Sequence, residues 1–484
     1  MLDKTETPKQ PTGSSTAPPP TAMSRQATRI ALLVASAYFM EMLDGTVMVT
    51  ALPQMARTFG VNPVDLTLGM TAYMVTLAVF IPLSGWCADR FGPRKVFTLA
   101  LVIFTAASVL CGFADGVWSF TFARVIQGFG GSMMVPVGRL AVLRTTPKQH
   151  LIRAIAFITW PGLIAPVIGP AVGGFLTTYV NWRWIFFLNI PLGLVAIALA
   201  WRLIPDGDRK ERPLDRAGFV FSALACLSFT YGVNLFGNVE VPVLLASGLV
   251  GAGLIFAAAT YVHSRRHATP LIDLSSLNIP TYALSVTGGT VLRIVIGTAP
   301  FLLPLMFQVG FGLNAFDSGL LVLAVFVGNL GIKPLTTPII RKFGFRPVLL
   351  GNGLLMAATL VGCACLTPQT PRIVLLILLL ISGASRSMQF TSIATIAFSD
   401  VPQDKMSGAN TFFSLMFQLS LGMSVAIGAV CLKIASLLLG HPSGSLTLAD
   451  FKVAFLLTAA LVIIGLTDSF RLRANAGAAV SRKG

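Results

Sequence analysis

The sequence predicts an all-α polytopic membrane protein: two six-helix halves plus two central inserted helices, about fourteen transmembrane helices in all. Three observations predict it. Of 484 residues, 55% are hydrophobic and 11% charged, with mean hydropathy +0.80; a soluble domain has about 25% charged residues. Apolar runs of bilayer-spanning length recur from residue 29 to residue 472. A basic-Phe-Gly-X-Arg string occurs twice, as Arg90-Phe-Gly-Pro-Arg94 and Lys342-Phe-Gly-Phe-Arg346, marking an internal repeat.

Residues 1–28 are rich in Pro, Ser, Thr and Lys, cannot bury a core, and read as a disordered cytoplasmic tail. A cleaved signal peptide does not fit, because the first apolar run is long and further spans follow it. The N-terminal half, 29–204, holds spans at 29–53, 66–87, 95–114, 118–143, 152–178 and 183–204. A short charged linker near 205–215 leads to two inserted helices, 215–236 and 241–262, so that 205–268 is the central insertion. The C-terminal half, 269–472, holds 280–308, 317–340, 346–366, 372–398, 405–438 and 452–472, and 473–484 is a second cytoplasmic tail. The run 405–438 is longer than a bilayer needs. The tails and even-numbered loops carry about 25 Lys and Arg and the odd-numbered loops about four, so the positive-inside rule places both termini in the cytoplasm of a cell inner (plasma) membrane protein. That topology accounts for the net charge of +17, and no basic stripe with aromatic interleaving suggests a nucleic acid.

The first span carries two carboxylates, Glu41 and Asp44. A charge at that depth costs at least about 2.5–3.5 kcal/mol, so an ionisable group there is a functional candidate. Three residues apart, the two lie on one helix face, roughly 60° from each other. Two acids that close cannot both ionise freely, which is how a chain can hold and release a proton inside a bilayer. Arg124 lies inside the fourth span and needs an anionic partner, with Glu41 or Asp44 the natural candidates.

Five strings carry a family resemblance. Gly85-Trp-Cys-Ala-Asp89-Arg90-Phe-Gly92-Pro-Arg94-Lys95 resembles the signature loop of the major facilitator superfamily, and Arg124-Val-Ile-Gln127-Gly128-Phe-Gly130-Gly131 its fourth-helix motif. Ala165-Pro-Val-Ile-Gly169-Pro170-Ala-Val-Gly173-Gly174 resembles the fifth-helix antiporter motif, with Ala165 replacing the usual first glycine. Leu43-Asp44-Gly-Thr46 through Pro53, and Trp182-Arg183-Trp184 through Asn189-Ile-Pro191, resemble signatures of the fourteen-helix drug:proton antiporter branch, of the EmrB/MdtD kind. The resemblance implies the major facilitator fold, a conformational latch at Gly85, Asp89, Arg90, Gly92 and Arg94, proton coupling at Asp44, and an antiporter's role for Gly169, Pro170, Gly173 and Gly174, for which close helix packing is the alternative. Asp89 is expected to cap a helix or to pair with Arg90 or Arg94 across the interface between the halves. Glu41 is not part of the branch motif; its candidacy rests on depth and spacing.

The resemblance also implies a cavity lined by the first helix of each three-helix unit, which nominates Gln127, Arg293, Arg386 and Gln389. Arg293 and Arg386 are near mid-span with no acid in their own runs. Either an anionic substrate group meets them, or they bind backbone carbonyls or Asp44 across the cavity. Arg139, Lys333 and Lys433 are also in apolar runs and are expected to snorkel toward an end. The leading expectation is a proton-coupled antiporter exporting small molecules such as drugs. A dedicated exporter of an organic anion or metal chelate is the alternative, followed by a proton-coupled importer or a non-transporting sensor. The expected partners are lipid, protons and a small-molecule substrate, with no nucleic acid; nothing in the sequence specifies a periplasmic adaptor.

The chain does not read as an enzyme. It has no Gly-x-x-x-x-Gly-Lys-[Ser/Thr] loop and no nucleophile-base pair, so no catalytic residue is nominated and the proton gradient stands in place of a cofactor. The six cysteines fall in or beside apolar runs and read as small core residues. The four histidines lie outside those runs, and no metal site is expected from them.

Overall fold

In the computed structural model, residues 23–61, 65–206, 209, 213–235, 243–313, 315–440, 446–473 and 476–477 are described. The 1–28 tail lies largely outside them, as do Lys210, Arg212 and most of the 473–484 tail. The described residues form helices and no strand, which is what a chain in hydrocarbon must do to pair every backbone polar group within its own segment.

There are fourteen helical rods among the described residues: α1 (Arg25–Phe59), α2 (Thr67–Phe91), α3 (Pro93–Gly112), α4 (Val117–Thr145), α5 (Leu151–Tyr179), α6 (Trp184–Leu203), α7 (Arg216–Leu235), α8 (Val243–Arg266), α9 (Pro280–Gly310), α10 (Ala315–Gly331 with Lys333–Phe343), α11 (Phe345–Cys365), α12 (Arg372–Ser399), α13 (Met406–Leu438) and α14 (Leu448–Phe470). Eleven are long and apolar enough to cross a membrane, and the bent α10 pair makes a twelfth. α4 and α5 match them in length, at 29 residues each. Large apolar side chains such as Leu99, Trp118, Phe122, Leu244, Ile255 and Ile464 are exposed on the outer surface, where lipid would cover them.

The first helix starts earlier than the tail composition suggests. Ser24 caps it, its hydroxyl accepting from the Ala27 amide at 3.1 Å. Two rods are interrupted. α9 breaks at Thr287 and ends in a π-helical turn, Met306–Gly310. α10 bends by 49° at Ile332, where Pro334 lacks the amide that would continue the ladder.

The repeated string has a common geometry. Gly92 ends α2 with φ +88° and Pro93 starts α3; Gly344 ends α10 with φ +79° and Phe345 starts α11. Both turns need a positive φ that side chains other than glycine rarely adopt. The two halves meet where α13 packs on α2 and α4, and where α5 packs on α10 and α12. Hydrogen bonds joining them run from Ser407 to Gly85 O, Asn410 to Pro136 O, Arg139 to Ser414, Lys333 to Thr159 and Arg341 to Gln149 O, at 2.8–3.3 Å. All lie toward the end that carries the two repeated basic loops, so the molecule is closed at that end.

Candidate functional site

Asp44, from the middle of α1, is 4% exposed and fully engaged. Arg124 Nη1 donates to its Oδ2 at 2.5 Å, while Gln127 Nε2 and Asn189 Nδ2 donate to its Oδ1 at 3.1 and 3.0 Å. Gln127 and Asn189 also donate to Ser108 Oγ, at 2.8 and 3.2 Å, and Arg124 Nη1 bonds Gln127 Oε1 at 2.7 Å. α1, α3, α4 and α6 therefore converge on one carboxylate. The guanidinium is walled by Tyr73, Phe120 and Phe186, its carbon 5.1–5.5 Å from each ring centroid, and touches Met48 Sδ. Such stacking suits Arg, whose planar cation is weakly hydrated. Gln127, expected in the substrate cavity, belongs instead to this network: it lies one turn beyond Arg124 and faces α3.

Glu41 stands in a different environment. It is 6% exposed, and its Oε2 is buried without a partner, as is the Tyr73 hydroxyl nearby. A Cβ placed on Gly131 would lie 3.3 Å from that hydroxyl and 3.9 Å from Glu41 Oε2, so the glycine keeps the space between them open. Glu41 lines a narrow cavity between the halves together with Tyr38, Arg139, Ser414, Phe417 and Gln418. Arg139, expected to snorkel, is instead buried here, its guanidinium carbon 5.3 and 5.9 Å from the Phe413 and Phe417 rings. Its position fifteen residues after Arg124, about four turns, puts the two on nearly the same face of α4 and was the readable signal. Asn189 was visible only as part of the helix-six string, and Ser108 and Tyr73 carried no signal.

The C-terminal half presents bases. Arg293 is 3% exposed; Nη2 donates to Thr290 Oγ1 at 2.8 Å, Nε and Nη1 have no partner, and the guanidinium carbon lies 4.9 Å from the Phe413 ring centroid. Arg386 donates weakly to Ile296 O at 3.5 Å, and its Nε is unpartnered. Lys333 does not snorkel: it is 7% exposed and donates to Thr159 at 3.2 Å and Thr391 at 2.8 Å. Lys433 is exposed. Gln389 faces α11, donating to Leu349 O at 3.3 Å and accepting from Asn352 at 2.8 Å. Of the four nominated cavity residues, none lines the narrow cavity that holds Glu41.

Residues 34–427 match the Major Facilitator Superfamily. The chain belongs to that superfamily. It is 35% identical over 404 residues to a Pectobacterium atrosepticum protein named for multidrug resistance (MdtD), covering 84% of this chain and 87% of the relative. A Klebsiella pneumoniae protein of the same name is 34% identical over 426 residues, covering 88% and 90%. Two solved structures share the fold: the proton:xylose symporter XylE, with TM-score 0.63, 14% identity and coverage of 92% and 95%, and the human organic anion transporter MFSD10, with 0.64, 13%, 92% and 99%.

In this major facilitator chain the signature loop is wired differently from the sequence expectation. Asp89 pairs with Arg144 at the end of α4, at 2.7 Å, and not with Arg90 or Arg94. Arg90 follows it on α2 and is exposed, and Arg94 is turned toward α6, where it pairs with Asp206 and lies over Trp201. Gly85 is the residue that reaches the other half: a Cβ there would lie 2.1 Å from Thr411 Oγ1 of α13. The fifth-helix motif brings α5 against α1. A Cβ on Gly169 would lie 2.3 Å from Thr46 Oγ1, two residues from Asp44, so that glycine sets how closely α1 is held. Gly173 and Gly174 accept from Thr177, at 2.8 and 3.1 Å, and Gly174 faces open space; the Pro170 side chain lies outside the described residues.

Two of the histidines do come together with an acid. Asp215, His263 and His267 place ligand-type atoms within 4.8 Å of one another. The Asp215 oxygens, however, already accept from Gly218 N at 2.8 Å, His263 at 2.9 Å and Leu271 N at 3.1 Å, which makes the cluster a clasp between α7 and the segment after α8. Burial works against the Asp215 charge, but these bonds outweigh it and hold its pKa below the usual carboxylate value.

Proposed function

We propose that this chain is a proton-coupled antiporter of the cell inner membrane, with both termini in the cytoplasm, that exports small molecules, drugs among them, by alternating access. The names of its relatives and the excess of Lys and Arg in alternate loops support this reading. The observation that carries it is the Asp44–Arg124 pair, buried at 4% and 1% exposure, one turn from a carboxyl that opens on the cavity between the halves.

The two acids divide the work. Asp44 is charge-compensated, so a proton arriving there removes the anion that fixes Arg124 and loosens the joint between α1 and α4. Glu41, with an oxygen that meets no donor, is the group through which protons pass between that joint and the cavity. Substrate and proton favour opposite facing states, and the gradient drives the cycle without a bound cofactor. Transport, not catalysis, is the activity, and lipid, protons and substrate are its partners.

A second reading concerns the substrate. The unpartnered guanidinium nitrogens of Arg293 and Arg386 favour a molecule carrying a carboxylate or phosphate. ΔpH-driven uptake into everted vesicles, over a panel of cationic, neutral and anionic compounds, tests both. Wild type should accumulate members of the panel, and Glu41→Gln/Asp44→Asn should insert normally and accumulate none. Uphill transport by the double variant would overturn the proton assignment.

A further inference from the structure

The inserted hairpin leaves a space behind it. α8 packs chiefly on α7 and is the least buried of the spans, while α7 packs on α2 and α13. Between the hairpin and the α9 and α13 helices lies a chamber of about 420 Å³, with walls that include Ala225, Phe229, Ala257, Leu274, Met416 and Met423. The chamber is apolar in effect as well as in composition. Apart from Tyr261 at one end, its hydroxyls, Ser222, Thr260 and Thr290, each donate to a carbonyl about one turn back on their own helix, at 3.0, 2.8 and 2.8 Å, and the Thr290 oxygen also accepts from Arg293. These three hydroxyl hydrogens are already spent, so a polar ligand gains little there, whereas a hydrocarbon chain loses nothing.

One end of this chamber is not apolar. Tyr261 lines it, is 46% exposed, and carries the Arg265 guanidinium carbon 5.3 Å from its ring centroid. Arg266 follows and the helix ends, so both bases stand at the negative end of the α8 dipole with no salt bridge among the described residues. We propose that the chamber holds one acyl chain of an anionic phospholipid of the cytoplasmic leaflet, with the lipid phosphate on Arg265 beside Tyr261. The choice of leaflet rests on the orientation proposed above; the site itself does not depend on the export reading. α13 turns Phe412, Leu415, Met416 and Leu419 to the chamber and Ser414, Phe417 and Gln418 to the central cavity. The lipid chain therefore backs the helix that closes the basic-loop end.

The test uses the full chain, purified in mild detergent, stripped of lipid and followed by native mass spectrometry. It is titrated with phosphatidylglycerol, with phosphatidylcholine of the same chains, and with glycerol phosphate as the free headgroup. Phosphatidylglycerol should bind preferentially, at one copy per chain, and glycerol phosphate should not bind in that range. Arg265→Gln/Arg266→Gln should weaken the lipid by about fivefold or more. Ala257→Trp, which fills the chamber from its membrane side, should remove it. The proposal fails if Ala257→Trp leaves lipid binding unchanged, if phosphatidylcholine binds as tightly, or if the headgroup alone does. The two bases are on the surface, so the double variant keeps the test decisive should Ala257→Trp not insert.

Discussion

The two halves share a repeated turn but hold Arg124 and Arg293 in opposite ways. In the N-terminal half, Arg124 meets a carboxylate and Asp44 meets three donors, so this pair is compensated within the half, although Arg139 and Glu41 are buried there with no salt bridge among the described residues. In the C-terminal half, Arg293, Lys333 and Arg386 are buried, and among the described residues none has a salt bridge. A compensated pair is a switch, because one proton dissolves it. An uncompensated base is a standing demand for an anion or for a ring face such as Phe413. On the function proposed above, proton handling belongs to one half and the reception of substrate charge to the other.

The comparison can be broken most forcefully at the compensated pair. Asp44→Asn or Arg124→Gln alone strands a buried partner and should cost about 3–5 kcal/mol, while the double variant recovers most of the loss. Unfolding midpoints in detergent check this, and purely additive losses would mean the two are not a pair. A smaller effect is expected where the halves touch. Gly85→Val drives a side chain into Thr411 and should cost the closed state about 1–3 kcal/mol. A cysteine at Asn410 should then label faster from the basic-loop side, and unchanged labelling would show that Gly85 does not set the closure.

The smallest effect is a pH dependence at the same face. His150 is 7% exposed, and burial, followed by the charges of Arg341 and Arg153, holds its pKa below the ordinary histidine value. A depressed value means that the neutral form favours the closed face. That contribution is present above about pH 6.5 and is lost as pH falls through the lowered value. His150→Gln should flatten the acid-side change in Asn410→Cys labelling; an unchanged profile would place the titration elsewhere.

Much of the fold was legible because each span must satisfy its own backbone, which leaves a long apolar run as the trace of every helix. The breaks at Thr287 and Ile332 were not legible, since apolar character continues through both. Within the site, Glu41, Asp44 and Arg124 were legible as charges where charge is expensive. Asn189 and Ser108 were not, because a neutral polar residue in a span costs too little to stand out. Asp89 was given the wrong partner because its arginine, Arg144, lies 55 positions away at the end of another helix. Arg139 was misread because its nearness to the end of the span was weighed above its place on the helix face of Arg124.

Arg124 is held by a buried carboxylate of its own half, and Arg293 has none. Unfolding midpoints of the full chain, wild type beside Arg124→Gln and Arg293→Gln, test that difference most directly. Arg124→Gln should lower the midpoint sharply, and Arg293→Gln should leave it unchanged or raise it, because it removes two unpartnered donors from the interior. A loss with Arg293→Gln as large as that with Arg124→Gln would contradict the account.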